Sequence, residues 1–375
     1  MTSQMQPFAY CRNPPQDAKK ALLCYVADPL VSSEFGDWHL HPNRRNAVTI
    51  ATTITELGYS LDVIDCESTL DFDASDYSLI VGQGPAFTTA LKSAANEAVK
   101  VLLGTELPPG FVRRALHARL NRLHSGRGGD YTEQRPEFLT DTMIDASDLV
   151  LCMDSAFAQQ IWRQRADAVT RLAPGCLNDI PTIRFRNPFT ARRRFLWMAG
   201  TGLVYKGLDL ALEVFSSRPD LELHIFGRVR ANPEFCDMYR RELFETPNIS
   251  LHGFVDVRTA KYRSIARRCA WNLVLSCAEG GGDSVWTPMR SGLLPVHLRS
   301  AAIDADGFGV IIETDSIEAI SAAVDRSAAI SPAEWYRQYR RLQSTMRRRF
   351  TSQRLQLSLT EALTSIDRHR MLVAQ

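Results

Sequence analysis

Apolar runs of strand length alternate with segments of helical spacing along almost the whole chain. In the first half, Ala21–Ala27, Ser60–Cys66, Tyr77–Val81, Val99–Leu103, Asp148–Met153 and Ala168–Leu172 read as strands. These runs are continuous rather than alternating, the pattern of parallel strands buried on both faces. Between the first two, Ala47, Ile50, Ile54 and Leu57 repeat at helical spacing across Arg44–Leu57, and Gly58 stops that helix. The second half restarts the pattern, with strands at Phe195–Ala199, Leu221–Phe226, Ile249–Leu251, Asn272–Ser276, Pro295–Leu298 and Val310–Ile312. Helices fit Leu208–Ser216, Glu234–Phe244, Ala260–Arg268, Val285–Ser291, Ser316–Arg326 and Pro332–Arg348. Such alternation predicts doubly wound α/β domains with right-handed crossovers.

The break between the two rounds is expected in Asn178–Arg194, a basic, weakly patterned stretch interrupted by two prolines. The expected organisation is a domain over 1–185, a second over 186–354, and a final helix, Leu355–Val373, packing back across the first domain. Two such domains joined by one linker would face each other across a cleft. Ligands of doubly wound sheets bind outside the carboxyl ends of the strands.

A length of 375 residues also suits two domains, and 45% hydrophobic with 23% charged residues excludes a disordered chain. No apolar run approaches the ~18 residues of a membrane span. The first twenty residues lack a basic-then-apolar leader pattern, so a cytoplasmic protein is expected. A net charge of +2 does not argue for nucleic acid. None of the eight cysteines stands in a CxxC spacing, and most lie in or beside apolar runs. Buried thiols fit better than disulfides or a zinc site.

Two loops carry chemistry. In AGTGLVYKGLDLALEVF (Ala199–Phe215) a strand ends, Gly200 and Gly202 open a tight loop, and Lys206–Gly207 leads into a helix. Backbone amides and a helix N-terminus can meet an anion there, with the lysine adding a point charge. The run lacks the P-loop pattern, and Tyr205 spoils a dinucleotide fingerprint. In SCAEGGGDSVWTPMRSGLLPV (Ser276–Val296) a strand delivers Glu279 to its end, followed by Gly280, Gly281 and Gly282, with Asp283 or Ser284 expected to cap the next helix. Three glycines leave the backbone open to close approach, and the carboxylate can accept hydrogen bonds from sugar hydroxyls.

The order of the whole half, KGLDLALEVF, LELHIFG, NISLHGFV, the Glu279 loop and GLLPV, resembles the retaining, family-4-like glycosyltransferases of the GT-B fold, of the bacterial surface-polysaccharide type. The likeness is strong over Phe195 to about Phe350 and weaker through His41–Asp65 and Asp145–Met153. It implies a donor domain in which Lys206 contacts the diphosphate of a UDP- or GDP-linked sugar and Glu279 contacts the sugar near its reacting carbon. Gly200, Thr201, Gly202, Arg228, Gly280, Gly281, Gly282, Asp283, Ser284, Val285 and Thr287 would complete the donor site. No cofactor or metal is implied, which makes Asp71-Phe72-Asp73 a bystander.

Two positions depart from the family pattern. Thr287 stands where the second glutamate of EX7E belongs, and Thr201 stands where an arginine often follows Gly200. The first domain would bind the acceptor, a glycan or lipid-linked glycan, through His39, His41, Asn43, Thr105 and Arg119. No base is assigned there, because GTELPPGF (Gly104–Phe111) has Pro108 and Pro109 where related chains often carry a histidine, and the resemblance implies that the departing phosphate takes the acceptor proton. The basic groups Arg113, Arg114, Arg119, Arg122 and Arg127, and Arg337 through Arg349, read first as solvated faces and second as contacts to anionic lipid at the inner membrane surface. The expected function is transfer of a hexose to a growing glycan. A noncatalytic GT-B scaffold and a sugar-nucleotide epimerase are the alternatives.

Overall fold

Consecutive residues of the predicted strands separate onto opposite faces of a sheet, and both faces are covered. Ala21, Leu23 and Tyr25 enter one apolar cluster with Ala47, Ile50 and Ile54, whereas Leu22 and Cys24 enter another with Phe87, Leu102 and Trp162. Burial on both sides is why these runs carry no polar alternation. The computed structural model describes residues 6–10, 17–31, 42–133, 135, 137–175, 180, 182–183, 186–280, 282–305 and 307–373. The chain forms two compact units, the first comprising Met1–Gly110, Glu137–Leu177 and Arg349–Gln375, the second Phe111–Pro136 and Asn178–Arg348.

The first unit holds seven strands: β1 (Phe8–Ala9), β2 (Lys20–Tyr25), β3 (Ser60–Asp65), β4 (Leu79–Gly82), β5 (Val99–Gly104), β6 (Leu149–Met153) and β7 (Val169–Leu172). Their order is β1-β3-β2-β4-β5-β6-β7, and all pairs are parallel except β1 against β3. The two-residue β1 was not foreseen, because two residues show no period. Leu355, Leu359, Ala362 and Leu363 of the last helix, Ser352–Val373, lie in this unit's core with the Pro42–Glu56 helix.

The second unit holds β8 (Arg194–Met198), β9 (Glu222–Phe226), β10 (Ile249–Gly253), β11 (Trp271–Val274), β12 (Leu294–Leu298) and β13 (Val310–Ile312). The order is β10-β9-β8-β11-β12-β13, parallel throughout. The order reverses between β8 and β11, so the crevice at the carboxyl ends of these two strands is where a doubly wound sheet binds ligands. The predicted Glu234–Phe244 helix is broken at Tyr239 into Pro233–Met238 and Arg240–Phe244.

The division of the chain differs from the expected one in three places. The linear break falls between Leu177 and Asn178, and the return to the first unit comes at Arg349. Residues 111–136, most of the Pro109–Arg127 helix and the strap after it, belong to the second unit. Six described cysteines are free, and five of them are buried. Burial pushes the Cys66 thiol up to about 12, as expected for inert packing groups.

Candidate functional site

The two loops singled out in the sequence leave the carboxyl ends of β8 and β11, on either side of the point where the strand order reverses. After β8 the chain turns tightly. The Lys206 amide donates to the Gly202 carbonyl at 2.8 Å, and the Gly207 amide donates to Val204 at 3.0 Å. The side chains of Leu203, Val204 and Tyr205 are buried, so the loop is anchored by apolar packing although Gly200 and Thr201 are exposed. Gly207 is left-handed at φ +72° and stands at the cap position of the Leu208–Ser216 helix. The two loops are tied to each other where the Cys277 amide donates to the Tyr205 carbonyl at 2.9 Å.

Glu279 is only 5% exposed, and its carboxylate is met by groups from these loops and the start of the next helix. The Lys206 ammonium is ion-paired with its Oε2. The Ser276 hydroxyl donates to the same oxygen at 3.2 Å, and the Gly282 amide donates to Oε1 at 3.3 Å. The backbone of Glu279 is fixed through its amide, which donates to the Ser300 carbonyl at 3.0 Å. A buried carboxylate compensated by an ammonium and two neutral donors meets the usual requirement for a charge held out of water.

Gly282, rather than Asp283 or Ser284, is the N-cap of the helix that follows, Asp283–Arg290, and no side chain caps it. The cap glycine spends its own amide on Glu279, so the carboxylate and the positive end of the helix dipole are neighbours. Of the remaining donor-site residues, Gly280, Val285 and Thr287 are buried, Thr287 at 3%. Arg228 is exposed, its guanidinium 5.2 Å from the centre of the Phe254 ring. Gly281 lies outside the described residues, and of Asp283 only the backbone is described.

Of the acceptor set, three residues are described. His39 and His41 lie outside the described residues. Asn43 is exposed on the Pro42–Glu56 helix, and the Thr105 hydroxyl donates to Gln83 at 2.7 Å beyond β5. Arg119 corrects the prediction, because it is 1% exposed inside the second unit and unavailable to an acceptor. Its guanidinium bonds the Leu275 carbonyl at 3.2 Å, the Val204 carbonyl at 3.4 Å and Asp315 at 3.1 Å, and lies 3.9 Å from Asp209. Arg122 meets Glu213 at 2.6 Å and Asp209 at 3.6 Å, and Arg127 meets Glu242 at 2.6 Å. Three members of the supposed basic face are therefore internal ion-pair partners. Burial raises the Asp209 carboxyl to about 6 despite the two arginines, since neither approaches within hydrogen-bond distance.

Sequence reasoning also passed over Glu133, whose carboxylate accepts from the Val204 and Tyr205 amides, each at 2.8 Å. No local signal marks it, because its partners lie about seventy residues away, and only the fold joins them. Asp73 behaves as an ordinary turn residue, accepting from the Ser75 amide and hydroxyl at 2.9 Å each. Among the described residues no three His, Cys, Asp or Glu side chains converge as a metal group would require. No helix among them is long and apolar enough to cross a membrane.

No protein-family model and no curated protein sequence matches this chain. Solved structures do. HepE of Anabaena superposes with a TM-score of 0.58 at 11% identity in complex with UDP and glucose, over 92% of this chain and 100% of HepE, and with 0.59 at 11% over 92% and 99% in complex with UDP-glucose. A glycosyltransferase of Rickettsia africae gives 0.59 at 11% identity, over 92% and 99%. Sucrose-phosphate synthase of Thermosynechococcus elongatus gives 0.61 at 13% identity, over 95% and 99%. At these identities the likeness speaks for architecture, and the chain has the GT-B fold of two doubly wound α/β units.

Proposed function

We propose that the protein is a retaining glycosyltransferase that moves a hexose from a UDP- or GDP-linked donor to a glycan or lipid-linked glycan, in bacterial surface-polysaccharide synthesis. The observation that carries this reading is the Lys206–Glu279 pair at the reversal point of the second sheet, beside an uncapped helix N-terminus. Of the two bases UDP is favoured, because HepE, a neighbour in fold, binds it.

The chemistry follows from the groups present. The diphosphate leaves as an anion, and Lys206 with the helix amides supplies positive potential where that charge develops, in a setting largely closed to water. Donor entry draws Lys206 toward the phosphate and frees one Glu279 oxygen for a sugar hydroxyl. The Gly282 amide and Ser276 hydroxyl keep the carboxylate in place during that exchange. The reaction then needs no divalent metal, and the leaving phosphate accepts the acceptor proton on the same face of the sugar.

A donor-binding protein without transfer activity is the second reading. It is favoured by Thr287, which replaces a carboxylate at the expected ribose position and is 3% exposed. The test is calorimetric binding of UDP, GDP, ADP and CMP, then of sugar donors, repeated on Lys206→Ala and Glu279→Gln. The enzyme reading expects one nucleoside diphosphate to bind selectively and Lys206→Ala to weaken it. It also expects Glu279→Gln to weaken only the intact donor and to abolish turnover. Binding by none of the four nucleotides removes the reading, and selective binding without turnover selects the second.

A further inference from the structure

The strap that follows the Pro109–Arg127 helix places one carboxylate on the backbone of the lysine loop. Glu133 Oε2 accepts from the Val204 amide and Oε1 from the Tyr205 amide, each at 2.8 Å. These are the two residues immediately before Lys206. Two successive amides converging on one carboxylate make a small anion nest, and charge-assisted bonds of this length are about twice as strong as neutral ones.

The same dipeptide is held on its carbonyl side as well. Arg119 donates to the Val204 carbonyl at 3.4 Å, and the Cys277 amide donates to the Tyr205 carbonyl at 2.9 Å. Thus all four backbone hydrogen-bonding groups of Val204–Tyr205 have partners beyond the loop. Glu133 is in turn located by its neighbours on the strap. Tyr131 is fully buried, receives a bond from Asn232 Nδ2 at 2.9 Å, and sits edge-on to Phe235 at 5.9 Å. The Arg135 guanidinium lies 4.0 Å from the centre of the Tyr205 ring. Alternate residues of the strap therefore grip the second unit, with the carboxylate in the middle.

We propose that Glu133 is a positioning residue for the donor site: it clamps the Val204–Tyr205 backbone so that Lys206 is presented to Glu279 and to the diphosphate of a nucleotide sugar. The inference rests on the donor-site reading above. A flexible ammonium on a mobile loop loses orientation entropy on binding phosphate, whereas a clamped loop has lost most of it beforehand. The carboxylate also fills the nest, so an incoming phosphate is directed to the ammonium and the helix terminus and not to these amides.

The test compares Glu133→Gln and Glu133→Ala with the wild type, using UDP as probe in calorimetry and amide hydrogen exchange across residues 203–207. Glutamine keeps one acceptor, so affinity should fall about 3- to 10-fold for Gln and about 10- to 100-fold for Ala, the range for charged hydrogen bonds. Exchange at Val204 and Tyr205 should accelerate in the same order. In a Lys206→Ala background the Glu133 substitutions should have little further effect on UDP affinity. Equal affinity in wild type and Glu133→Ala overturns the proposal. So does an undiminished loss in the Lys206→Ala background, which would mark general damage to the unit. If the wild-type chain binds no UDP or GDP, the donor-site reading itself falls. Accelerated exchange would then still identify Glu133 as the loop's clamp, while unchanged exchange would remove that too.

Discussion

Gly207 lies so close to the end of β11 that a Cβ added to it would stand 2.4 Å from the Leu275 carbonyl oxygen and 2.5 Å from the Leu275 Cβ. The lysine loop and the Glu279 loop are pressed together at this point, and the left-handed φ of +72° adds a second reason for glycine. Gly207→Ala should cost ~1–2 kcal/mol from backbone conformation alone, with the clash in addition. A urea unfolding series should show a lowered midpoint, and UDP affinity should fall because the loops separate. A midpoint equal to that of the wild type would contradict the close approach.

Glu279→Gln keeps the shape of the side chain but removes the charge that Lys206 faces. On the proposed mechanism, turnover should fall on the order of 10²- to 10³-fold, as for loss of one preorganised electrostatic contact. UDP binding should be kept or strengthened, since the ammonium is released from its partner. Single-turnover kinetics with a labelled donor, beside calorimetry on the same preparation, would check both halves.

Arg119→Met removes a buried guanidinium and leaves Arg122, at 3.6 Å, as the remaining cation beside Asp209, which is fully buried and lacks a hydrogen-bond partner for either oxygen. Losing one of its two cations should destabilise by at most about 3–5 kcal/mol, the range for a buried charge left uncompensated. The double variant Arg119→Met with Asp209→Asn should recover a substantial part, because the buried carboxylate is gone and Asp315, the other partner of Arg119, is half exposed to water. A double-mutant cycle on unfolding free energy is the measurement, and strict additivity would show that the two groups do not interact.

His297 on β12 should make the second unit sensitive to acid. Its Nδ1–H donates to the Leu298 carbonyl at 3.0 Å, while Nε2 is buried without a partner. Burial pushes the imidazole from 6.5 to about 4. Well above pH 6.5 the ring is neutral both folded and unfolded, so it contributes no pH dependence there. Between 6.5 and about 4 the unfolded chain binds the proton first, and stability falls as pH falls, by about 3 kcal/mol at most. Asp209, raised to about 6, acts oppositely over part of this window, favouring the folded state as it protonates. Unfolding free energies of His297→Gln and the wild type at several pH values isolate the histidine. The variant should show the shallower acid loss, and parallel curves would refute the assignment.

The last helix should behave as part of the first unit's core. Leu359 is fully buried there with Leu355 and Leu363. Leu359→Ala should cost about 2–5 kcal/mol, the range for buried leucine truncation. Limited proteolysis should then release fragments of the first unit before the second. Cleavage confined to the tail itself would show that the helix is dispensable.

Local pattern carried the elements and the donor loops. The continuous apolar runs marked the parallel strands within one or two residues, the Leu208–Ser216 helix was read at its actual bounds, and the glycines around Lys206 and Glu279 marked the two turns at the reversal point. Each of these signals lies within a window of some twenty residues, where burial on both faces, helical spacing and freedom of φ leave their trace in residue type. That the two loops share one edge of the second sheet was also expected from the strand assignments, whereas the ion pair of Lys206 with Glu279 came only from the structure.

What only the tertiary structure decided was where the arginine-rich helix and its strap belong. Arg119, Arg122 and Arg127 look like a solvent face in sequence, and the acids that neutralise them, Asp209, Glu213, Glu242 and Asp315, stand in another part of the chain. Glu133 gives even less sign of its place on the Val204 and Tyr205 amides. An ion pair or a backbone clamp is defined by distance in space, and a charged residue has the same letter whether it faces water or a buried partner.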